Sequence, residues 1–392
     1  MAVSARFSRQ GLLFAAIGLA GLALPLVQLR PNRIVPGEPL SLPAALGWSG
    51  WALALLLAAA LLSLLPARLP ARAGLALTLP GALLSVLALG WAASALIAPD
   101  APLARVSPAA GFWLLLLAFA LAAADALARL APPLAWRWGL LAGTVLAAAA
   151  ILSSGALDDI SVMREYQSRH DVFWREAGRH LLLAFGSLAL ALALGLPLGV
   201  LVHQAPRLRN GVLGVLNAVQ TVPSLAMFGI MIPLFGWIAA TVPGAAAAGV
   251  AGIGAFPALV ALFLYSLLPV VSNMAVGLAS VPGPVAEAAT GLGMTRAQRL
   301  WQVELPLALP VVLAAVRIVL VQNIGLTVIA GLIGGGGFGA FVFQGLNQTA
   351  MDLVLLGALP TIALALVAGV ALGLLTAQAA PAPGPAERTA PA

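Results

Sequence analysis

An all-α polytopic membrane protein with about ten transmembrane helices is the fold class this sequence predicts, on two observations. Of its 392 residues, 62% are hydrophobic and 8% are charged, and the mean hydropathy is +1.07. A soluble domain carries about 25% charge, so this much apolar surface cannot hide in one core and most of it must face lipid. The apolar residues also run continuously for about 20 residues at a time, the length that crosses a bilayer as helix. A membrane β-barrel would show short alternating segments instead.

The runs lie near 11–29, 46–65, 73–97, 110–130, 134–152, 180–202, 211–235, 255–278, 306–330 and 352–375. The first follows Arg6 and Arg9. It is longer than a signal-peptide core and lacks a small-residue cleavage site before Arg30, so it reads as a membrane helix. The run 134–152 is the weakest, because Arg137 sits near its start. Five nearly featureless Leu/Ala helices form an amino-terminal extension, 1–152. The stretch 153–179 (SSGALDDISVMREYQSRHDVFWREAGR) reads as an extracytoplasmic amphipathic linker, with Val172, Phe173 and Trp174 at headgroup depth. Helices carrying Pro, Asn, Gln, Ser and Thr then fill 180–375, and a Pro/Ala-rich tail, 376–392, reads as disordered.

Arginine supplies all the basic charge, since the chain has no Lys. With a cytoplasmic amino terminus, Arg6, Arg9, Arg68, Arg72, Arg129, Arg137, Arg207, Arg209, Arg296 and Arg299 fall inside, and Arg30, Arg33 and Arg105 outside. This bias places both termini in the cytoplasm. The scattered arginines argue against nucleic-acid binding. The absence of Cys excludes disulfides and thiolate chemistry. Without Lys there is no Walker A motif, so the chain cannot bind and hydrolyse ATP by that motif. Asp158 and Asp159 read as solvated loop acids with no ligand spacing around them. His170, His180 and His203 read as surface or capping residues, and no metal site is expected.

One polar piece interrupts the apolar second half: VPGPVAEAATGLGMTRAQRLWQVELP, 281–306. Two prolines suit a turn and a first helical position. Ala286 to Thr290 can then make one or two helical turns, and Gly291 and Gly293 can stop them. Thr295-Arg-Ala-Gln298 fits a capping box that starts a second helix running to about Glu304. Pro306 and Pro310 open the next membrane helix. The segment therefore reads as a helix–turn–helix at 282–304 on the cytoplasmic surface. It exposes small residues, Ala288 and Ala289, beside one carboxylate, Glu287, which would want an arginine or backbone N–H partner if buried.

The spacing Glu287-Ala288-Ala289, three residues, Gly293, nine residues, Val303-Glu304-Leu305-Pro306 resembles the EAA motif of ABC-importer permeases. Further stretches at 194–201, 217–229, 256–278, 303–317 and 333–346 are similar to permeases of osmoprotectant uptake systems, which import glycine betaine, carnitine or choline. The resemblance covers roughly 178–375 and leaves the first five helices aside. It implies a type I importer core in the cytoplasmic membrane and coupling helices that dock two ABC ATP-binding subunits, which carry ATP and Mg. It also implies a second permease copy or paralogue and an extracytoplasmic solute-binding protein. On this resemblance the chain is a transport subunit and not an enzyme. Glu287, Ala288, Ala289, Gly293 and Pro306 are the ATPase-coupling residues it implies. An ABC permease for another solute, such as an amino acid, stays open. So does an ion-coupled secondary transporter, for which Asp125 is the main intramembrane acid.

Several polar residues are expected along the pathway. Asn217, Gln220, Thr221 and Ser224 share one face at helical spacing and Pro223 can kink their helix, so the face reads either as interhelical glue or as a pathway lining. Asn273, Arg317 and Asn323 join them as candidates. A charge as deep as Arg317 must pair, snorkel or belong to a gate. Gly335, Gly336 and Gly337, in the run 334–337, follow no strand and so form no dinucleotide fingerprint. They read as a tight re-entrant turn at the outer mouth, or as plain loop.

Overall fold

The computed structural model describes residues 7–32, 35–98, 101 and 103–379. The chain divides into two units, Met1–Ser168 and Arg169–Ala392. Arg6, Arg33 and the tail beyond Ala379 lie outside the described residues.

The first unit holds α1 (Arg9–Ala23), β1 (Val27–Arg30), β2 (Glu38–Leu40), α2 (Leu42–Leu46), α3 (Trp48–Leu62), α4 (Ala71–Leu96), β3 (Arg105–Pro108), α5 (Ala110–Leu130), α6 (Leu134–Ser153) and α7 (Ser161–Ser168). Ser8 caps α1. Pro25 then bars further helix, and Val27–Arg30 becomes the centre of a three-stranded antiparallel sheet, ordered β2-β1-β3. The run expected as helix to residue 29 thus ends early. The four-residue strand VQLR is too short to announce itself by alternation. Gly47, at φ +62°, separates α2 from α3 and moves the second expected span to Trp48–Leu62. The core gathers Leu57, Leu61, Leu115 and Phe119 with Leu26 and the strand residue Val27. Backbones approach closely where α1 meets α5: a Cβ on Gly111 would lie 2.5 Å from the Gly21 carbonyl oxygen. Small residues permit this approach, which is how membrane helices gain packing without a hydrophobic driving force. Helix α6 has no buried residue.

The expected linker 153–179 is divided between the units. Its first part docks on the sheet: the Ser107 and Ser161 hydroxyls bond at 2.9 Å, Arg164 Nη1 donates to the Ala104 carbonyl at 3.1 Å, and Arg105 pairs with Glu165 at 3.8 Å. Its second part is the start of α8 (His170–Gln204), a single helix of 35 residues. No Gly or Pro breaks the stretch 170–177, and Asp171 in the first turn suits the positive end of the helix dipole.

The second unit continues with α9 (Pro206–Thr221), α10 (Ser224–Thr241), α11 (Ala255–Ala279), α12 (Gly283–Gly291), α13 (Arg296–Arg299), a π-turn (Leu300–Glu304), α14 (Leu305–Ala330), a 3₁₀ turn (Gly331–Ile333), α15 (Gly339–Asn347) and α16 (Met351–Ala379). Helices α8, α11, α14 and α16 form its centre, packed through Ala184, Leu188, Ala191, Val270, Val319, Ile324 and Ala368. Helix α16 runs four residues past the expected boundary at 375.

Among the described residues, eight helices are long and apolar enough to cross a membrane, and α1 and α3 are shorter apolar helices of 15 residues each. They coincide with the ten expected runs, but the first two are shorter than a full span needs and a third is divided. The run 211–235 is two helices, because Pro223 lacks a donor and forces Val222 into extended backbone. The break is sealed from α11, where the Tyr265 hydroxyl donates to the Val222 carbonyl and the Gln220 amide donates to the Tyr265 carbonyl at 2.8 Å.

Candidate functional site

The loop between α11 and α14 is built as a short rigid bracket. Pro282 and Pro284 start α12. Thr290, at its last turn, donates to the Ala286 carbonyl at 2.9 Å. The chain then reverses through Gly293, whose φ of +82° an L side chain would resist. The reversal is held by Leu292 N–H to the Ala288 carbonyl at 3.0 Å and Met294 N–H to the Ala289 carbonyl at 3.2 Å. The capping box forms as its sequence predicts: Gln298 N–H donates to Thr295 Oγ1 at 3.3 Å, and Thr295 N–H donates to Gln298 Oε1 at 2.9 Å.

Within this bracket Ala289 faces inward and is buried, whereas Glu287, Ala288 and Gly293 are exposed. Among the described residues no ion pair reaches Glu287; Arg299 bonds Glu304 instead, at 2.8 Å. Leu292 and Trp301 are 81% and 71% exposed. The exposed groups of the segment therefore include one carboxylate, one small side chain and two large apolar groups, a chemistry suited to docking in a protein groove.

The second short helix of this segment, expected to stand apart from the next membrane helix, does not do so. Arg296 to Ile333 is continuous helix, with a π-turn over Leu300–Glu304 closed by Leu305 N–H to the Leu300 carbonyl. Pro306 explains the wide turn: it cannot donate to the carbonyl four residues back, and its ring would strike that carbonyl.

The expected pathway residues separate into two groups. Asn323 is wholly buried and ties three helices: its Nδ2 donates to Ser187 Oγ of α8 and Ser266 Oγ of α11, each at 2.9 Å, and Ser266 donates to its Oδ1 at 3.1 Å. Gln220 seals the Pro223 break. Both side chains make hydrogen bonds between helices. The shared face is also shorter than expected, since Ser224 begins a new helix. Asn217 and Thr221 remain exposed on α9. Asn273 Nδ2 donates to its own helix at Pro269 O, 2.8 Å away. Arg317 is exposed on α14, its guanidinium against α16, where a Cβ on Gly373 would lie 3.0 Å from Nη1. Asp125 pairs with Arg129 at 2.9 Å, one helical turn away on α5.

The glycine run forms a tight turn packed within the second unit. Gly335, Gly336 and Gly337 are buried, so they present no surface of their own at a mouth. They pass under the first turns of α8. A Cβ on Gly336 would lie 2.7 Å from both Arg179 Cδ and Glu176 Oε2, and Gly336 and Gly337 take φ of +78° and +80°. Glu176 Oε2 accepts the Gly337 N–H at 2.8 Å, and His180 Nδ1 accepts the Phe338 N–H at 3.3 Å. Phe173 packs on Phe338 and Phe341 with centroids 5.4 and 6.2 Å away. His180 is thus a core residue of the turn, not a surface or capping one. The signal available in the sequence was its place one turn after Glu176 on an uninterrupted helix. Among the described residues no group of three or more His, Cys, Asp or Glu could hold a metal ion.

Comparison with known proteins completes the assignment. Residues 8–163 match the family described as ABC transporter permease YehY, N-terminal domain, and residues 191–380 match binding-protein-dependent transport system inner membrane component. The osmoprotectant import permease protein OsmW of Salmonella typhimurium is 42% identical over 189 residues, 48% of this chain and 83% of that protein. The glycine betaine/carnitine/choline transport system permease protein OpuCD of Bacillus subtilis is 36% identical over 202 residues, 51% of this chain and 81% of that protein. A solved inward-facing MetNI methionine ABC transporter is similar at 24% identity over 54% of this chain and 97% of that one, with a TM-score of 0.47. With the EAA bracket in place between two core helices, the chain belongs to the binding-protein-dependent inner membrane components, as a permease subunit of the ABC-importer family that includes the osmoprotectant import permeases.

Proposed function

We propose that this permease carries a quaternary-ammonium osmoprotectant of the glycine betaine, choline or carnitine type across the cytoplasmic membrane, driven by ATP bound with Mg on a partner subunit. The observation that carries the coupling half of this reading is the exposed Glu287–Ala288 face, held out by the Gly293 reversal and the Thr295–Gln298 box. The solute half rests on the relatives, whose names specify osmoprotectant, glycine betaine, carnitine and choline.

Two ATP-binding subunits dock on 287–304, and their closure on ATP moves the bracket. A second permease copy or paralogue completes the pore. An extracytoplasmic binding protein delivers solute and does most of the selecting, because an aromatic cage suits a quaternary ammonium and this chain has only two Tyr. Within the membrane, the exposed uncharged groups Asn217 and Thr221, with Ser224 at the start of α10 and Asn273 on α11, form a neutral wall that such a cation tolerates, and Arg317 belongs to a gate. The arginine bias places both termini in the cytoplasm.

The test is glycine betaine uptake into liposomes holding the permease, its ATP-binding subunit and the binding protein. Uptake should require ATP inside the vesicle. Uptake that follows an ion gradient without ATP overturns the reading, and ATP-driven uptake of amino acids alone overturns its solute half.

A further inference from the structure

We infer that Arg299 is a positioning residue for energy coupling: its side chain is a strut that makes α12, the π-turn and the root of α14 move as one body. The inference deepens the coupling reading above and rests on it.

By backbone alone, α12 reaches α14 through Gly291–Met294, a reversal turning on the positive-φ Gly293, and then through a π-turn, whose wide ring is a weak point in a helix. Motion given to Glu287 and Ala288 could dissipate at either joint. Arg299 spans both. Its Nη1 donates to Thr290 Oγ1 of α12 at 3.2 Å, and its Nε donates to Glu304 Oε1, the last residue of the π-turn, at 2.8 Å. Thr290 is itself fixed by its bond to Ala286, one residue before Glu287.

The far end of the strut is anchored in packed structure. The Glu304 side chain is 10% exposed and that of Arg299 32%. On either side of Glu304 in sequence, Leu300 and Leu305 pack against a cluster of Met274 and Leu278 of α11 with Ala308 and Val312 of α14. Guanidinium geometry suits the task, since one planar group offers donors in two fixed directions, whereas an ammonium offers a point charge. Removing Arg299 also leaves a largely buried carboxylate without its cation, which favours rearrangement of the turn.

Spatial continuity is not itself coupling, and a double-mutant comparison decides the matter. The chain has no Cys, so Val285→Cys and Ile318→Cys place spin labels on α12 and α14 without background, in the importer complex in liposomes. Without Arg299→Met the inter-label distance should be narrow and unchanged between nucleotide-free and ATP-trapped states. With it the distance should broaden and shift with ATP, and glycine betaine uptake per ATP hydrolysed should fall roughly three- to tenfold. The exchange Arg299→Glu with Glu304→Arg should narrow the distance again and recover part of that ratio. If Arg299→Met fails to fold, Glu304→Gln weakens the same contact and should give the same broadening.

A narrow, ATP-independent distance and an unchanged uptake ratio in Arg299→Met or Glu304→Gln overturn the strut. Crosslinking from Ala288→Cys to the ATP-binding subunit, measured separately, tests the docking reading. Its failure sinks that reading, while the label distances still judge the strut.

Discussion

Asn323 of α14 donates to the Ser187 hydroxyl of α8 at 2.9 Å although 136 residues separate them in sequence. The same amide bonds Ser266 of α11, so one wholly buried side chain joins three helices of the second unit. Neutral polar groups within a bundle hold helices together by about 0.6 kcal/mol per bond on average, and up to about 2. Asn323→Ala also leaves a cavity, so the expected loss is about 1–3 kcal/mol. Thermal unfolding in detergent should show it, with the concentration dependence of uptake unchanged. A lining role would shift that dependence and leave stability alone.

The Glu176–Gly337 contact makes a second stability prediction. Glu176→Gln keeps an acceptor for the Gly337 N–H and should be mild, whereas Glu176→Ala orphans a buried donor at about 1–3 kcal/mol. Gly336→Ala meets both a positive φ and two atoms at 2.7 Å, and should lose at least about 1–2 kcal/mol. Unfolding midpoints check the assignment: Glu176→Gln should stay near wild type while Glu176→Ala and Gly336→Ala both fall.

Neighbouring alanines of the 282–304 bracket should behave oppositely. Ala289 is buried, so Ala289→Leu overpacks the bracket by about 1–3 kcal/mol. Ala288 is exposed, so Ala288→Leu should leave unfolding within about 0.5 kcal/mol. It should nonetheless weaken association with the ATP-binding subunit roughly tenfold, read by co-purification. An Ala288→Leu complex of normal affinity would remove this face from the interface.

In the first unit, Gly111→Val places a side chain against the Gly21, Leu24 and Pro25 carbonyl oxygens, all within 2.7 Å of its Cβ. The separation of α1 from α5 should cost about 1–3 kcal/mol and open residues 9–130 to limited proteolysis. Gly139 on α6 meets nothing within 4 Å, so Gly139→Val should leave the digestion pattern as it was.

Much of this molecule was legible in one dimension. Continuous apolar runs announced the membrane helices, because a helix in lipid satisfies its own backbone and needs no partner to be recognised. The local structure of the 282–304 bracket was legible too. Its caps, glycine reversal and prolines act over three or four residues, and Thr295 bonds Gln298 as the pattern requires. Less was legible where a residue's meaning depends on a distant segment. Gln220 and Asn323 look alike as polar positions in apolar helices, and no local pattern could show that Tyr265, Ser187 and Ser266 wait opposite them. The strand Val27–Arg30 needed Arg105–Pro108 to pair with, and the glycines 335–337 needed the acid of Glu176 and the ring of His180 above them. Helix formation and capping are short-range, so order along the chain encodes them. The burial of a polar group is settled by which surfaces meet in space, and folding alone supplied that information.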